Sequence, residues 1–212
     1  GELSGHSLGN LMFCAIDSLC LRPTESVKVM TKFLEIYVNI LPMSDEATNL
    51  VSETANNTRF IGEMSVDEHI ESDIVGLTLE PMVSPSNEVL EAMIQAEILF
   101  LGPGSFFTST LPSLLMSELV NTINKNASLK IYLLLNVQSE FNNHCDNIDF
   151  QLRFLRNIGL EKEVTLVIPN HRKEESQSLA ATCLYVELPS DNHGRHDSYA
   201  LERFLKEIID KK

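Results

Sequence analysis

Ile98-Leu99-Phe100-Leu101-Gly102-Pro103-Gly104-Ser105 is the stretch that decides how this chain folds. Four apolar residues run without interruption into a Gly-Pro-Gly turn, and a largely apolar segment at 111–123 follows. A short apolar run, a glycine turn and a helical segment make a strand-turn-helix unit. Residues 129–137 are a second, almost wholly apolar run. Between helical segments, such a run is the signature of a parallel strand buried on both faces. The alternation continues with a helix at 150–158 ended by Gly159, strands at 164–168 and 182–188, and an amphipathic helix at 199–209. The expected fold is α/β: a Rossmann-like, three-layer α/β/α sandwich with a mainly parallel sheet.

Upstream of that unit the pattern is more broken. Residues 11–19 are apolar round every face, which predicts a buried helix. A second helix is expected from Thr24, as N-cap, to Leu34. Short β-favouring runs stand at 38–42, 49–53 and 58–63, the last two forming a hairpin around Asn56-Asn57, with another strand at 74–79. Ser86 or Asn87 then starts a helix at 88–96. With no repeat, low-complexity tract or dividing linker, the expectation is one domain over 1–212.

The chain is 43% hydrophobic and 22% charged, within the globular range, and has no apolar run long enough to span a bilayer. No membrane insertion is expected. Gly1-Glu2-Leu3-Ser4 has no basic n-region leading into an apolar core, so the expected compartment is the cytoplasm. Cys14, Cys20, Cys145 and Cys183 form no C-x-x-C pair and are expected to be buried free thiols in that reducing setting. The formal net charge of −14 repels polyanions, and no Lys/Arg stripe interleaves with aromatics, so nucleic acid is not an expected partner. A small phosphate-bearing molecule stays compatible, because backbone N–H groups at a helix start attract anions without basic side chains.

In a doubly wound sheet the ligand crevice lies outside the carboxyl ends of the strands, which is where Gly102, Pro103, Gly104 and Ser105 fall. Glycines let backbone approach an anion, Pro103 stiffens the turn, and Ser105, Thr108 and Ser109 add hydroxyl donors. The same residues equally make a plain strand-to-helix turn capped by Ser105. No Walker loop is present, since no lysine lies between Gly102 and Ser117. Gly5-His6-Ser7-Leu8-Gly9-Asn10 brings an imidazole and an amide to a loop-helix junction, with a capping Ser7 as the plainer reading. Arg195-His196-Asp197 sets a cation, an imidazole and a carboxylate before the last helix, where Asp197 is also a natural N-cap. Asn136, at the end of the second buried run, faces the crevice by the same strand-end rule. His144-Cys145-Asp146 and His171-Arg172 read as solvated loops.

Taken together, Gly5-His6-Ser7-Leu8-Gly9-Asn10-Leu11, Leu41-Pro42-Met43-Ser44, Gly62-Glu63, the block Ala96 to Ser109, Asn136 and Arg195-His196-Asp197 resemble, in order, the CofD-like family and its bacterial gluconeogenesis-factor branch. The Gly-Pro-Gly-Ser block with its Thr-Ser is the most specific piece. The resemblance implies a Rossmann-like fold with a pocket for a nucleotide, the candidate ligands being a UDP-sugar, GDP or a dinucleotide, with no cofactor required. It implies a regulatory role in carbon metabolism and cell-shape maintenance, and is compatible with a homodimer. On this reading His6, Gly9, Asn10, Gly102, Pro103, Gly104, Ser105, Thr108, Asn136, Arg195, His196 and Asp197 are ligand-binding residues and none holds a metal. The phospholactate transferases of the wider family, which act on a nucleotide and a phosphorylated hydroxy acid with a metal, have a Gly-Pro-Ser-Asn-type turn where this chain has Gly102-Pro103-Gly104-Ser105. That difference favours the gluconeogenesis-factor branch. Family members also carry an upstream Gly-Gly-Gly-x-Gly loop and a Gly-Asp-x-Arg-Asn segment that have no counterpart in these residues. The domain is therefore expected to lack its N-terminal strand and Gly-rich loop.

Overall fold

The computed structural model describes residues 7–69, 74–138, 148–176, 181–191 and 194–211. Helix α1 (Leu8–Asp17) forms as expected, capped by the Ser7 hydroxyl, but none of its residues is buried. Its main packing partner among the described elements is α2 (Pro23–Phe33), and an all-round apolar helix with one neighbour leaves its other faces open. The Ser26 hydroxyl donates to the Asp17 carboxylate at 2.6 Å and ties the two helices together. Pro23 occupies the first turn of α2, where a missing N–H costs nothing. Thr24 does not cap this helix; its amide and hydroxyl both donate to Asp45, at 2.9 and 2.7 Å. Residues 38–42, expected as a strand, form none. Val38 and Ile40 are exposed, and β-branched residues without a pairing neighbour make no ladder.

The expected hairpin is present as β1 (Asn49–Thr54) and β2 (Arg59–Ile61), antiparallel with Val51 opposite Ile61. Glu63 does not extend β2; it starts helix α3 (Glu63–Glu68), whose Val66 is fully buried. Strand β3 (Ile74–Glu80) pairs antiparallel with the other side of β1 and completes a three-stranded sheet.

Helix α4 (Asn87–Gln95), capped by Ser86, leads to β4 (Ile98–Leu101). The helix expected at 111–123 is instead two pieces, α5 (Leu111–Leu114) and α6 (Ser117–Lys125), preceded by a π-helical turn Phe106–Thr110. The break comes at Met116, whose extended backbone sinks its side chain into the core. Then follow β5 (Lys130–Leu134), α7 (Ile148–Asn157), β6 (Val164–Pro169), a 3-10 segment Asn170–Ser176, β7 (Cys183–Val186) and α8 (Ser198–Asp210). Gly159 follows α7 at φ +92°, the left-handed turn at which helices commonly stop.

Strands β4, β5, β6 and β7 form one parallel sheet in that order. Its two faces can be read from the two-residue period. Leu101, Ile131, Leu133, Leu166 and Ile168 point into the larger core, with Val89 of α4, Leu119 and Ile123 of α6 and Leu155 of α7. Phe100, Tyr132, Leu134 and Val167 point the other way, under Ala200 and Phe204 of α8. Helices thus cover both faces of the sheet, as a Rossmann-like fold requires. The larger core also takes in Leu50, Leu77 and Leu79 of the antiparallel sheet, so the two sheets share one apolar interior. No helix among the described residues is long and apolar enough to cross a membrane. The four cysteines divide differently from expectation: Cys14 is exposed, Cys20 and Cys183 are half-buried, and Cys145 lies outside the described residues.

Candidate functional site

Beyond the carboxyl ends of β4 and β5 lies a crevice of about 570 Å³ lined by Pro103, Gly104, Asn136, Gln138, Arg195 and His196, among others. Its volume suits a small-molecule site. A larger hollow of about 900 Å³ opens at the other end of the sheet, beside Val164 and Thr182. That one faces the amino ends of the strands, where this topology does not build ligand sites.

Local sequence shapes the turn that forms one wall. Gly102 sits at φ +82°, and a Cβ there would lie 3.0 Å from the Leu134 carbonyl oxygen, so only glycine fits. From the neighbouring strand end, Asn136 grips the turn: its Oδ1 accepts from the Gly104 amide at 3.1 Å and its Nδ2 donates to the Gly104 carbonyl at 3.1 Å. Asn136 is itself held from behind, because Arg172 donates to its carbonyl oxygen at 2.7 Å. Arg172 is only 7% exposed, so the expectation of a solvated loop is overturned there. With Gln151 and Thr110 it lines the small space behind Gly104.

Ser105 and Thr108 behave as a turn cap and something more. The Ser105 hydroxyl accepts from the Thr108 amide at 3.4 Å. Both hydroxyls also turn toward one carboxylate oxygen of Asp67 on α3, Thr108 at 2.9 Å and Ser105 at 3.5 Å. No local pattern marks Asp67, whose segment follows a run with the composition of a strand.

The opposite wall comes from the loop before α8. Ser190 and His196 bridge antiparallel, and the Asp197 amide donates to Pro189, closing a tight loop. Arg195 directs Nε and Nη2 to one Asp191 carboxylate oxygen at 3.0 and 2.9 Å, with its own side chain mostly in solvent. Asp197 caps α8, accepting from the Ala200 amide at 2.9 Å. His196 differs from both. Its two ring nitrogens are buried, and neither meets a hydrogen-bond partner among the described residues. Burial holds its pKa below the ordinary 6.5; the nearby Leu135 backbone works upward without reaching good hydrogen-bond geometry, and His171 works downward. His171 places Nε2 2.6 Å from the Val137 carbonyl. A carbonyl only accepts, so that nitrogen carries the proton.

The structure thus brings Pro103, Gly104, Asn136, Arg195 and His196 to one crevice; Ser105 follows Gly104 directly, Thr108 stands in the helical turn after it, and Asp197 follows His196 as the cap of α8, none of the three among its lining residues. Gly9 and Asn10 stand in the first turn of α1, exposed, and line none of it. His6 lies outside the described residues, as do His144, Cys145 and Asp146. Arg172 and His171 were legible by the rule that picked out Asn136, since both follow directly on β6.

Comparison with known proteins meets this geometry. The family model described as 2-phospho-L-lactate transferase CofD matches residues 1–210. A protein of Vibrio cholerae named "Putative gluconeogenesis factor" is 32% identical over 211 residues, covering 99% of this chain and 71% of that protein. A gluconeogenesis factor of Listeria innocua is 26% identical over 216 residues, with 92% and 66% covered. A crystal structure of a UPF0052-family protein from Bacillus halodurans superposes with a TM-score of 0.82 at 22% identity, over 96% of this chain and 73% of that one. The likeness in structure supports the Rossmann-like fold, and the sequence matches give the kinship: this chain belongs to the CofD family, in the branch of the gluconeogenesis factors.

Proposed function

We propose that this protein binds a phosphate-bearing nucleotide, a UDP-sugar, GDP or a dinucleotide, in the crevice at the carboxyl ends of β4 and β5, and acts as a regulator rather than through a cofactor of its own. The observation that carries this reading is the pair of orphaned nitrogens of His196 in the crevice wall. A buried polar group without a partner costs about 1–3 kcal/mol, which a ligand hydrogen bond offsets. Being neutral, His196 offers the ligand one donor and one acceptor. Gly104, held by Asn136 and without a side chain, lets the anion come close to the turn, and the Ser105 and Thr108 hydroxyls donate to its phosphate. Arg195, near the mouth, exchanges Asp191 for a phosphate or sugar oxygen. Gly102 and Pro103 set the turn, and Asp197 fixes the loop that carries Arg195 and His196.

The place of action is the cytoplasm, and the process is carbon metabolism on gluconeogenic substrates together with cell-shape maintenance. The names of the relatives support the link to gluconeogenesis. A second reading is favoured by the description of the matched family model: metal-assisted transfer between a nucleotide and a phosphorylated hydroxy acid. Calorimetric titration with UDP-glucose, GDP and NAD, with and without magnesium, separates the two. Metal-independent binding that weakens about tenfold or more in His196→Phe supports the regulator. Binding of GDP only with magnesium moves the reading to the transferase, and no saturable binding rejects both.

A further inference from the structure

The hydroxyls that the proposed site offers to a phosphate are already in use by a carboxylate. Thr108 donates to Asp67 Oδ1 at 2.9 Å, and the Ser105 hydroxyl lies 3.5 Å from the same oxygen. Thr108 is buried, and Asp67 is half-buried beside it. The contact is built from both sides. Val66, the neighbour of Asp67, has no exposed surface and anchors α3 in the core. His69, at the end of the same helix, stacks on Phe60 of β2 with ring centroids 4.0 Å apart, and its Nδ1 lies 2.8 Å from the Ser65 carbonyl. Asp67 therefore comes to the turn on an anchored helix that packs beside the antiparallel sheet.

We propose that Asp67 is the residue that sets the anion selectivity of the crevice, by standing in for a phosphate. The inference rests on the nucleotide-binding reading given above. A carboxylate and a phosphate are both acceptor-only anions that seek the same O–H donors. They cannot share these two hydroxyls without like-charge repulsion at close range, which is strong near a low-dielectric wall. A phosphate reaches Ser105 and Thr108 by displacing the Asp67 carboxylate, and the α3 contact with the turn opens as it binds. In the empty protein the latch satisfies the two hydroxyls and turns away anions that bring too little binding elsewhere. Simple inorganic phosphate is thus excluded, while a nucleotide with a base, a ribose and a second phosphate overcomes the competition.

The test compares wild type with Asp67→Asn, which keeps the size and one acceptor oxygen while removing the charge. Titration with UDP-glucose, GDP and inorganic phosphate is expected to show tighter binding by Asp67→Asn, by about tenfold or more, for whichever nucleotide the wild type binds. Measurable phosphate binding is expected in the variant alone. Uridine, which has no phosphate, is expected to bind both proteins alike. Hydrogen exchange supplies a second readout in unmutated protein: the α3 amides should exchange faster when nucleotide is saturating. Equal nucleotide affinity in the two proteins, or α3 amides that become more protected on binding, overturns the latch and leaves nucleotide binding standing. Absence of nucleotide binding in both proteins overturns the nucleotide reading, and the latch with it. Thermal melting confirms that the variant is folded, and Asp67→Ser, which also removes the charge, serves in its place if Asp67→Asn is not.

Discussion

Asn136 holds Gly104 by both ends of its amide, accepting from the backbone N–H and donating to the backbone C=O, each at 3.1 Å. Those paired bonds join the end of β5 to the turn after β4, across one parallel strand pair. Removing them in Asn136→Ala is expected to destabilise the fold by about 1–3 kcal/mol, from two net hydrogen bonds of about 0.5–1.5 kcal/mol each. Asn136→Asp keeps the acceptor, loses the donor and sets a charge against the Gly104 carbonyl, so it should be no better than alanine. Urea denaturation measures both; a stability equal to wild type in Asn136→Asp would show that the clamp carries no energy.

Gly102 tests the turn by a different route. At φ +82° with the Leu134 carbonyl 3.0 Å from a would-be Cβ, alanine meets an unfavourable backbone region and a backbone contact that cannot step aside. Gly102→Ala should cost about 1–3 kcal/mol. Chemical denaturation of the variant, compared with an exposed control such as Leu21→Ala, reads this directly.

His196 predicts a pH dependence of definite sign. Its folded pKa lies below the ordinary 6.5, chiefly because burial disfavours the charged ring. Between the two values the unfolded chain binds more protons than the folded one, so stability rises with pH there. The contribution is complete above pH 6.5 and is lost as pH falls through the folded value. Replacement by Gln, which does not titrate, should flatten that part of the stability profile. An NMR titration placing the His196 ring above pKa 6.5 would contradict it.

Cys14 is exposed on α1, whereas Cys183 is half-buried at the start of β7. Under native conditions a thiol reagent should label Cys14 before Cys183, and mass spectrometry of the digest shows the order. Faster labelling of Cys183 would mean that α1 is covered in solution.

The parallel sheet was legible in the sequence because its cause is local. Continuous apolar runs at 98–101 and 129–137, with glycine at 102 and 159 as punctuation, place strands and helix ends without knowledge of the rest of the chain. The same holds for capping by Ser86 and Asp197, each satisfied within three residues. Local pattern misled where burial depended on neighbours: the apolar residues of α1 promised an interior they do not have, and Met116 broke a helix to fill the core. The site followed that division. Its turn could be read from Gly102 to Ser105, but the side chains that meet the turn from elsewhere could not. Thr108 meets Asp67 across 41 residues of chain, and Arg172 reaches Asn136 across 36. Nothing in the intervening sequence encodes either meeting. Only packing of the antiparallel sheet and of β6 against the same core brings those charges to the turn, and only the folded loop before α8, bridged at Ser190 and His196, buries the ring nitrogens of His196.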